Sequence, residues 1–354
     1  MKSKNIIVAC GGTGGHAFPG LATAEVLRSR GYDVTIWNSG RTIEKTVMSS
    51  WNGATFATGA KKLSAANAFS NAAAVFRCMR AIRETKPAAM LAMGSYTSFP
   101  PVAAAWLKRV PVVLHEANAV AGKAVAFLSR FARKVAVSFE AASAGLPRAK
   151  TVCTGLPLRA DVPGGRRIEG IPEGAFCVFV TGGSQGAHAV NELASDALVR
   201  LGRLLAPRPL YVIHQTGPAD EEAVMAKYHA AGMQFRVRAF EYDMADAYAS
   251  ADVVVARAGA STCFELARAG KPAFFIPLPS AVRDHQHLNA QAFVEAGAAA
   301  EGFQESLSPK ALANWMAALA ADPQRIARMS EAMRKCAVPD AAERLASLVE
   351  ECAK

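Results

Sequence analysis

The feature that most constrains this chain occurs twice: a short apolar run ends on a cluster of glycines, and a helix-length stretch follows. The first instance is Ile6-Ile7-Val8-Ala9-Cys10 before Gly11-Gly12-Thr13-Gly14-Gly15-His16; the second is Val178-Phe179-Val180-Thr181 before Gly182-Gly183-Ser184-Gln185-Gly186. A continuous apolar run reads as a strand buried on both faces, as in parallel sheets covered by helices. Glycines after such a strand let backbone approach backbone or ligand closely, and the next helix offers free N–H groups and its positive dipole end to an anion. Phosphate is the natural guest. Ligands in open α/β sheets sit at the carboxyl ends of the strands, so two such domains facing each other make a cleft with a glycine loop from each wall.

The same alternation runs along the chain. Strands are expected at Asn5 to Cys10, Asp33 to Trp37, Ala54 to Thr58, Ala88 to Met93, Pro111 to His115 and Lys134 to Ser138. The pattern stops in a Pro- and Gly-rich stretch from Gly155 to Glu173, then resumes at Phe176 to Thr181, Leu210 to His214, Phe235 to Phe240, Asp252 to Ala256 and Ala273 to Pro277. Two α/β domains follow, residues 1–160 and 161–354. The helical tail from Pro309 to Glu351 has no strand left to pair with and is free to pack back across the domain junction.

Net charge is +11 and unevenly distributed. Residues 1–163 hold 21 Lys and Arg against 7 Asp and Glu, net +14; residues 164–354 hold 19 against 22, net −3. A positive half points to an anionic surface, membrane or nucleic acid, or to a merely soluble basic face. No zinc spacing or RNP motif supports nucleic acid. Seven scattered cysteines without a C-x-x-C pair indicate neither a disulfide framework nor a zinc site, and fit a reducing cytosol. No secretory segment is expected from the first ten residues. The 21 uncharged residues between Lys86 and Lys108 contain a polar loop with Pro100 and Pro101, which argues against a spanning helix.

Nucleotide chemistries can be sorted by what is missing. The second strand ends Trp37-Asn38-Ser39-Gly40 without the carboxylate that a dinucleotide ribose requires, and neither glycine cluster has a P-loop lysine. No Asp-x-Asp motif supports a metal-held diphosphate, and His285 and His287 lack a third nearby ligand, so no metal is expected. In Arg257-Ala258-Gly259-Ala260-Ser261-Thr262-Cys263-Phe264-Glu265, Thr262 and Glu265 have the spacing of a capping box. Equally, Glu265 could accept both hydroxyls of a ribose.

The ordered strings are Gly12-Thr13-Gly14-Gly15-His16 with Phe18-Pro19-Gly20-Leu21, Tyr96-Thr97-Ser98, His115-Glu116-Ala117-Asn118, Gly155-Leu156-Pro157-Leu158-Arg159, the second glycine loop, Asp243-Met244, the Glu265 cluster, and Asp284-His285-Gln286 with Asn289-Ala290. Over about residues 5 to 300 they resemble the MurG family of peripheral membrane N-acetylglucosaminyltransferases. The resemblance implies the GT-B architecture, two Rossmann-like domains facing across a cleft. It implies inverting transfer of GlcNAc from UDP-GlcNAc to the 4-hydroxyl of undecaprenyl-diphospho-MurNAc-pentapeptide (lipid I), giving lipid II without a cofactor at the cytoplasmic face of the cell membrane. Another UDP-sugar transferase of the same architecture is the alternative. By matched position, Thr13, Gly14, Gly15, Asn118, Arg159, Ser184 and Gln286 are implied in the donor site, Glu265 as the ribose carboxylate, and Ala260, Ser261 and Thr262 along the nucleotide. Tyr96, Gln185, Glu241 and Met244 belong to the same substrate-binding set. The chain departs from the family's pattern at Ser95, Phe99, Ala117 and Leu156, and at Glu241, where an apolar residue usually lies by the uracil. A backbone contact to the base survives that change; a side-chain contact does not.

The reaction needs a base for the acceptor hydroxyl. His16 in the glycine turn suits it, because an unperturbed imidazole titrates near 6.5 and is mostly neutral at cytosolic pH; Glu116 is the competing base or acceptor orienter. An anionic membrane is expected to meet the helix Ala65 to Thr85 and Trp106-Leu107-Lys108-Arg109. Phe69 and Phe76 share one helix face beside Arg80 and Arg83, while Val75, Cys78, Met79 and Ile82 face the core.

Overall fold

A computed structural model describes residues 4–12, 14–41, 51–158 and 164–354. The chain divides into two compact units, Met1–Arg159 with Val338–Lys354, and Ala160–Ala337.

The first unit is a seven-stranded, all-parallel sheet. Its strands are β1 (Asn5–Ala9), β2 (Asp33–Asn38), β3 (Thr55–Ala57), β4 (Ala89–Ala92), β5 (Val112–Glu116), β6 (Lys134–Val137) and β7 (Thr151–Cys153), in the order β3-β2-β1-β4-β5-β6-β7. Side chains of a strand alternate between faces, so Ile6 and Val8 enter one core and Ile7 and Ala9 the other. On the first face lie the helix Gly14–Ser29 and, from the far end of the chain, the helix Ala341–Ala353, whose Leu345, Ala346 and Val349 are fully buried there. The opposite face is covered by Ala68–Thr85, Phe99–Leu107 and Lys123–Leu128. Pro100 and Pro101 sit in the first turn of a nine-residue helix, where their missing N–H costs nothing. Among the described residues no helix is long and apolar enough to cross a membrane.

The second unit is a six-stranded parallel sheet of β8 (Phe176–Thr181), β9 (Leu210–Gln215), β10 (Gln234–Arg238), β11 (Val253–Ala256), β12 (Ala273–Phe275) and β13 (Ala299–Glu301), ordered β10-β9-β8-β11-β12-β13. The helices His188–Leu205 and Pro309–Ala320 pack on one face against Val178, Val180 and Val212. In both sheets the chain builds outward on one side and then on the other. The order reverses between β1 and β4 in the first unit and between β8 and β11 in the second, and such switch points open a crevice at the carboxyl edge.

Each unit buries one histidine completely. Burial pushes His115 down to about 4 and His214 to about 3 from the ordinary 6.5. His214 is satisfied as a neutral ring, Nδ1 pairing with the Tyr228 hydroxyl at 2.8 Å and Nε2 with Asn191 Oδ1 at 3.1 Å. Below about pH 6.5 the unfolded chain binds protons that the folded protein refuses. Stability is therefore complete above that pH and falls as pH drops through the window toward 4 and 3, by at most about 1.4 kcal/mol per pH unit for each ring. Denaturant titrations at pH 7.5 and 5 should show the loss, and His214→Asn should remove one proton from the slope; an unchanged slope refutes this origin.

Candidate functional site

The loops that carry the sequence motifs lie at the two switch points. In the first unit, β1 runs into Gly11-Gly12, with Gly12 at φ +115°, and β4 into Gly94 (φ +82°) and Ser95 (φ +67°). Thr97 Oγ1 donates to Gly11 O at 2.9 Å, tying the two loops across the switch point, and the Ser98 hydroxyl donates to Gly94 O. A Cβ on Gly20 would lie 2.4 Å from Cys10 Cβ, so the first helix presses directly on the end of β1.

His16 stands in the first turn of that helix, with Nδ1 2.9 Å from Met93 O. A carbonyl only accepts, so Nδ1 carries the proton and the basic lone pair belongs to Nε2. Cβ atoms built on Gly12 and Gly94 would lie 3.8 Å from Cδ2 and 3.9 Å from Cε1 of the ring, so the two loops frame the edge that bears Nε2. Tyr96 in the second loop has a buried hydroxyl without a hydrogen-bond partner, and Arg41 lies 5.5 Å over its ring.

Glu116, at the end of β5, is 3% exposed. Oε1 accepts from the Asn118 amide N–H at 2.9 Å and its side chain at 3.2 Å, and Oε2 from Gly122 N–H at 2.8 Å. This carboxylate holds the Ala117–Gly122 turn and with it Asn118. Gly14 and Gly15 open the first helix; Thr13 and Arg159 lie outside the described residues.

In the second unit the glycine loop folds on itself. Thr181 Oγ1 accepts from Gly183 N–H at 3.1 Å, Gly183 O accepts from Gly186 N–H at 2.9 Å, and Ser184 and Gln185 stand exposed at the tip. Gly186 is irreplaceable, since its Cβ would lie 1.9 Å from Thr216 O. The 18-residue helix His188–Leu205 follows, its dipole directed at the loop.

Across the switch point, β11 leads through Arg257-Ala258-Gly259 into the helix Ala260–Ala269. The capping-box expectation fails: Gly259 is the N-cap, no side chain caps the helix, and Thr262 already lies inside the first turn. Glu265 is thus not used as a cap. Its Oε2 accepts from the hydroxyl of the fully buried Tyr248 at 2.9 Å. Gln286, in the first turn of His285–Glu295, accepts from Leu278 N–H at 3.0 Å through Oε1.

The Ala239–Asp243 loop follows β10, the neighbour of β9. Glu241, expected to sit by a base, is 2% exposed and turned inward. Its Oε1 accepts from Arg236 at 2.9 Å, Arg238 at 3.1 Å and Asp243 N–H at 3.1 Å. Two arginines of β10 thus accommodate a carboxylate in place of an apolar residue. Met244 begins the next helix, Met244–Ser250. Gln215 and Tyr248 contact these groups and carry no motif of their own; the one signal in sequence was a polar residue ending an apolar strand. His285 Nδ1 meets Val282 O at 2.9 Å and His287 Nδ1 meets Glu301 at 2.6 Å, so the two rings have separate partners.

Two parallel-sheet domains with glycine loops at both switch points define the GT-B class of glycosyltransferases, and the domain models agree. The glycosyltransferase family 28 N-terminal domain matches residues 6–137 and the family 28 C-terminal domain residues 177–345. Proteins of Marinobacter nauticus (37% identical, covering 99% of this chain and 98% of theirs) and Verminephrobacter eiseniae (39%, 99% and 99%) are each named UDP-N-acetylglucosamine–N-acetylmuramyl-(pentapeptide) pyrophosphoryl-undecaprenol N-acetylglucosamine transferase. The crystal structure of Acinetobacter baumannii MurG superposes with a TM-score of 0.81 at 33% identity, covering 98% of this chain and 99% of that one. The chain belongs to the MurG family.

Proposed function

We propose that this chain transfers GlcNAc from UDP-GlcNAc to the 4-hydroxyl of the MurNAc sugar of lipid I, forming lipid II and UDP with inversion. The acceptor oxygen attacks C1 of GlcNAc as the bond from C1 to the β-phosphate oxygen breaks, and the hydroxyl proton passes to His16 Nε2. Charge developing on the departing UDP is met by the N–H groups of the Gly182–Gly186 loop, the helix dipole behind it and Arg159. Glu265, steadied by Tyr248, accepts the ribose hydroxyls; the backbone at Glu241 and Met244 lines the base. Gln286, Ser184, Gln185 and Asn118 complete the donor set, and Tyr96 belongs to the same substrate-binding set. The observation that carries this reading is His16, whose tautomer is set by Met93 O and whose basic edge is framed by two glycine loops. The test is transfer of labelled GlcNAc to a lipid I analogue, with product stereochemistry. A retained configuration, or transfer only to some other acceptor, refutes it.

The same proposal places the first unit at a membrane surface as a peripheral protein. Phe69 is 89% and Phe76 71% exposed on the helix Ala68–Thr85, while Cys78 and Ile82 face the core. On the next two helices, Trp106 and Phe127 are half-exposed and both contact Phe131. A hollow of about 480 Å³ in the same unit is lined by Met79, Arg80, Arg83, Glu84 and Lys108. Rings entering the headgroup layer beside cations that meet lipid phosphate suit an anionic surface on the cytoplasmic face, at about 1 kcal/mol per basic residue. Co-sedimentation with anionic liposomes should fall with added salt and again in Phe69→Ser/Phe76→Ser. Equal binding to neutral vesicles, or no loss in the folded double variant, sinks this placement.

A further inference from the structure

Gln215, the last residue of β9, is 3% exposed, and its amide is used from both ends. Nε2 donates to Gly183 O at 2.8 Å and Thr181 Oγ1 at 3.2 Å, both in the glycine loop or at its root. Oε1 accepts from Glu241 N–H at 3.0 Å, in the loop after β10. No other described side chain hydrogen-bonds both loops. Because Glu241 N–H can only donate and Gly183 O can only accept, the amide has one permitted orientation.

The surroundings leave this bridge little freedom. Gly186 and Gly217 pack backbone to backbone, and Asn191 Nδ2 donates to Thr216 O at 2.7 Å, which fastens the turn just beyond Gln215 to the helix after the glycine loop. On the other side, the carboxylate of Glu241 is gripped by Arg236 and Arg238. A displacement of either loop must therefore break a buried amide bond or pull Gln215 with it.

We propose that Gln215 is a positioning residue that couples the diphosphate loop to the base loop, so that uracil and diphosphate are held at one fixed separation. This rests on the reading above, in which those two loops receive the two ends of UDP. Gln215 touches no substrate in this account. It sets the distance between two groups that do.

Two substitutions test it. Gln215→Met keeps the length and removes every hydrogen bond. Gln215→Glu keeps an acceptor for Glu241 N–H but sets a carboxylate against Gly183 O until it is protonated. Calorimetric titration with UDP well below the melting temperature should show affinity falling about tenfold or more in both variants. Uridine, which engages the base loop and the ribose carboxylate but not the diphosphate loop, does not sense that separation and should lose less affinity than UDP, and KM for UDP-GlcNAc should rise while KM for a lipid I analogue does not. The ratio of Gln215→Glu to wild-type dissociation constants should shrink between pH 8 and pH 6, as protonation restores a donor; a role in stability alone moves the melting temperature and none of these ratios. UDP affinity within twofold of wild type in both folded variants, or a loss for uridine as large as that for UDP, overturns the coupling. If wild type itself fails to bind UDP, the underlying site reading falls and the coupling with it.

Discussion

His16→Ala should lower turnover by roughly 10² to 10⁴-fold, the usual worth of a general base, while UDP-GlcNAc binds with nearly wild-type affinity. The split follows from the assigned roles, since the ribose and base are given to loops of the second unit, whereas His16, in the first, is given only the acceptor's proton. Single-turnover rates with saturating donor, beside donor affinity by calorimetry, separate the two effects. The acid limb of the rate profile should vanish as well, because protonation of Nε2 removes the basic lone pair. His16→Gln should be as slow as alanine, for it restores bulk without a base. Glu116→Gln should cost much less, through loosening of the Asn118 turn that its carboxylate holds. Wild-type-like turnover in His16→Ala, with collapse in Glu116→Gln, transfers the role of base to Glu116.

Glu265→Ala should weaken UDP-GlcNAc binding by about 1.5 to 3 kcal/mol, the range for hydrogen bonds to a charged group, or roughly ten- to a hundredfold in dissociation constant. The melting temperature should change little. Since the helix starts at Ala260 with Gly259 as its cap, no cap is lost with the carboxylate. Tyr248→Phe, which removes the hydroxyl held 2.9 Å from Glu265 Oε2, should weaken binding less, as the carboxylate remains but is less well oriented. A 2′-deoxy donor is the control, because it should lose affinity for wild type and lose little more for Glu265→Ala. Unchanged donor affinity in a folded Glu265→Ala protein rules out the ribose role.

The same residues show how far the sequence alone reaches. Phe176 to Thr181 is legible to the residue, because an unbroken apolar run between Gly174 and Gly182 has no other place in a two-layered sheet. Thr151–Cys153 and Ala299–Glu301 escape notice, being three-residue edge strands with too few positions to show a period. The glycine loops are legible since the backbone there dictates residue type: no side chain fits where Gly186 meets Thr216 O. The supposed capping box misled because its spacing is right and its register wrong; β11 ends at Ala256 and only three residues precede the helix. The bridging role of Gln215 was illegible for a different reason. Its partners are a carbonyl of Gly183 and an amide of Glu241, and backbone atoms leave no mark in a sequence.

The helix Ala341–Ala353 gives the first unit an unusual schedule of manufacture. Its sheet is complete once β7 has left the ribosome, yet the face bearing Ile6, Val8 and Leu91 still lacks part of its cover. The missing helix emerges about 190 residues later. At about 5 to 20 residues per second of synthesis, that leaves the nascent sheet partly bare for roughly 10 to 40 s. Throughout that interval the second unit is being made and can fold with its own helices in hand. The domain translated first is therefore the domain finished last, and its uncovered apolar face is the surface that a chaperone at the ribosome would meet.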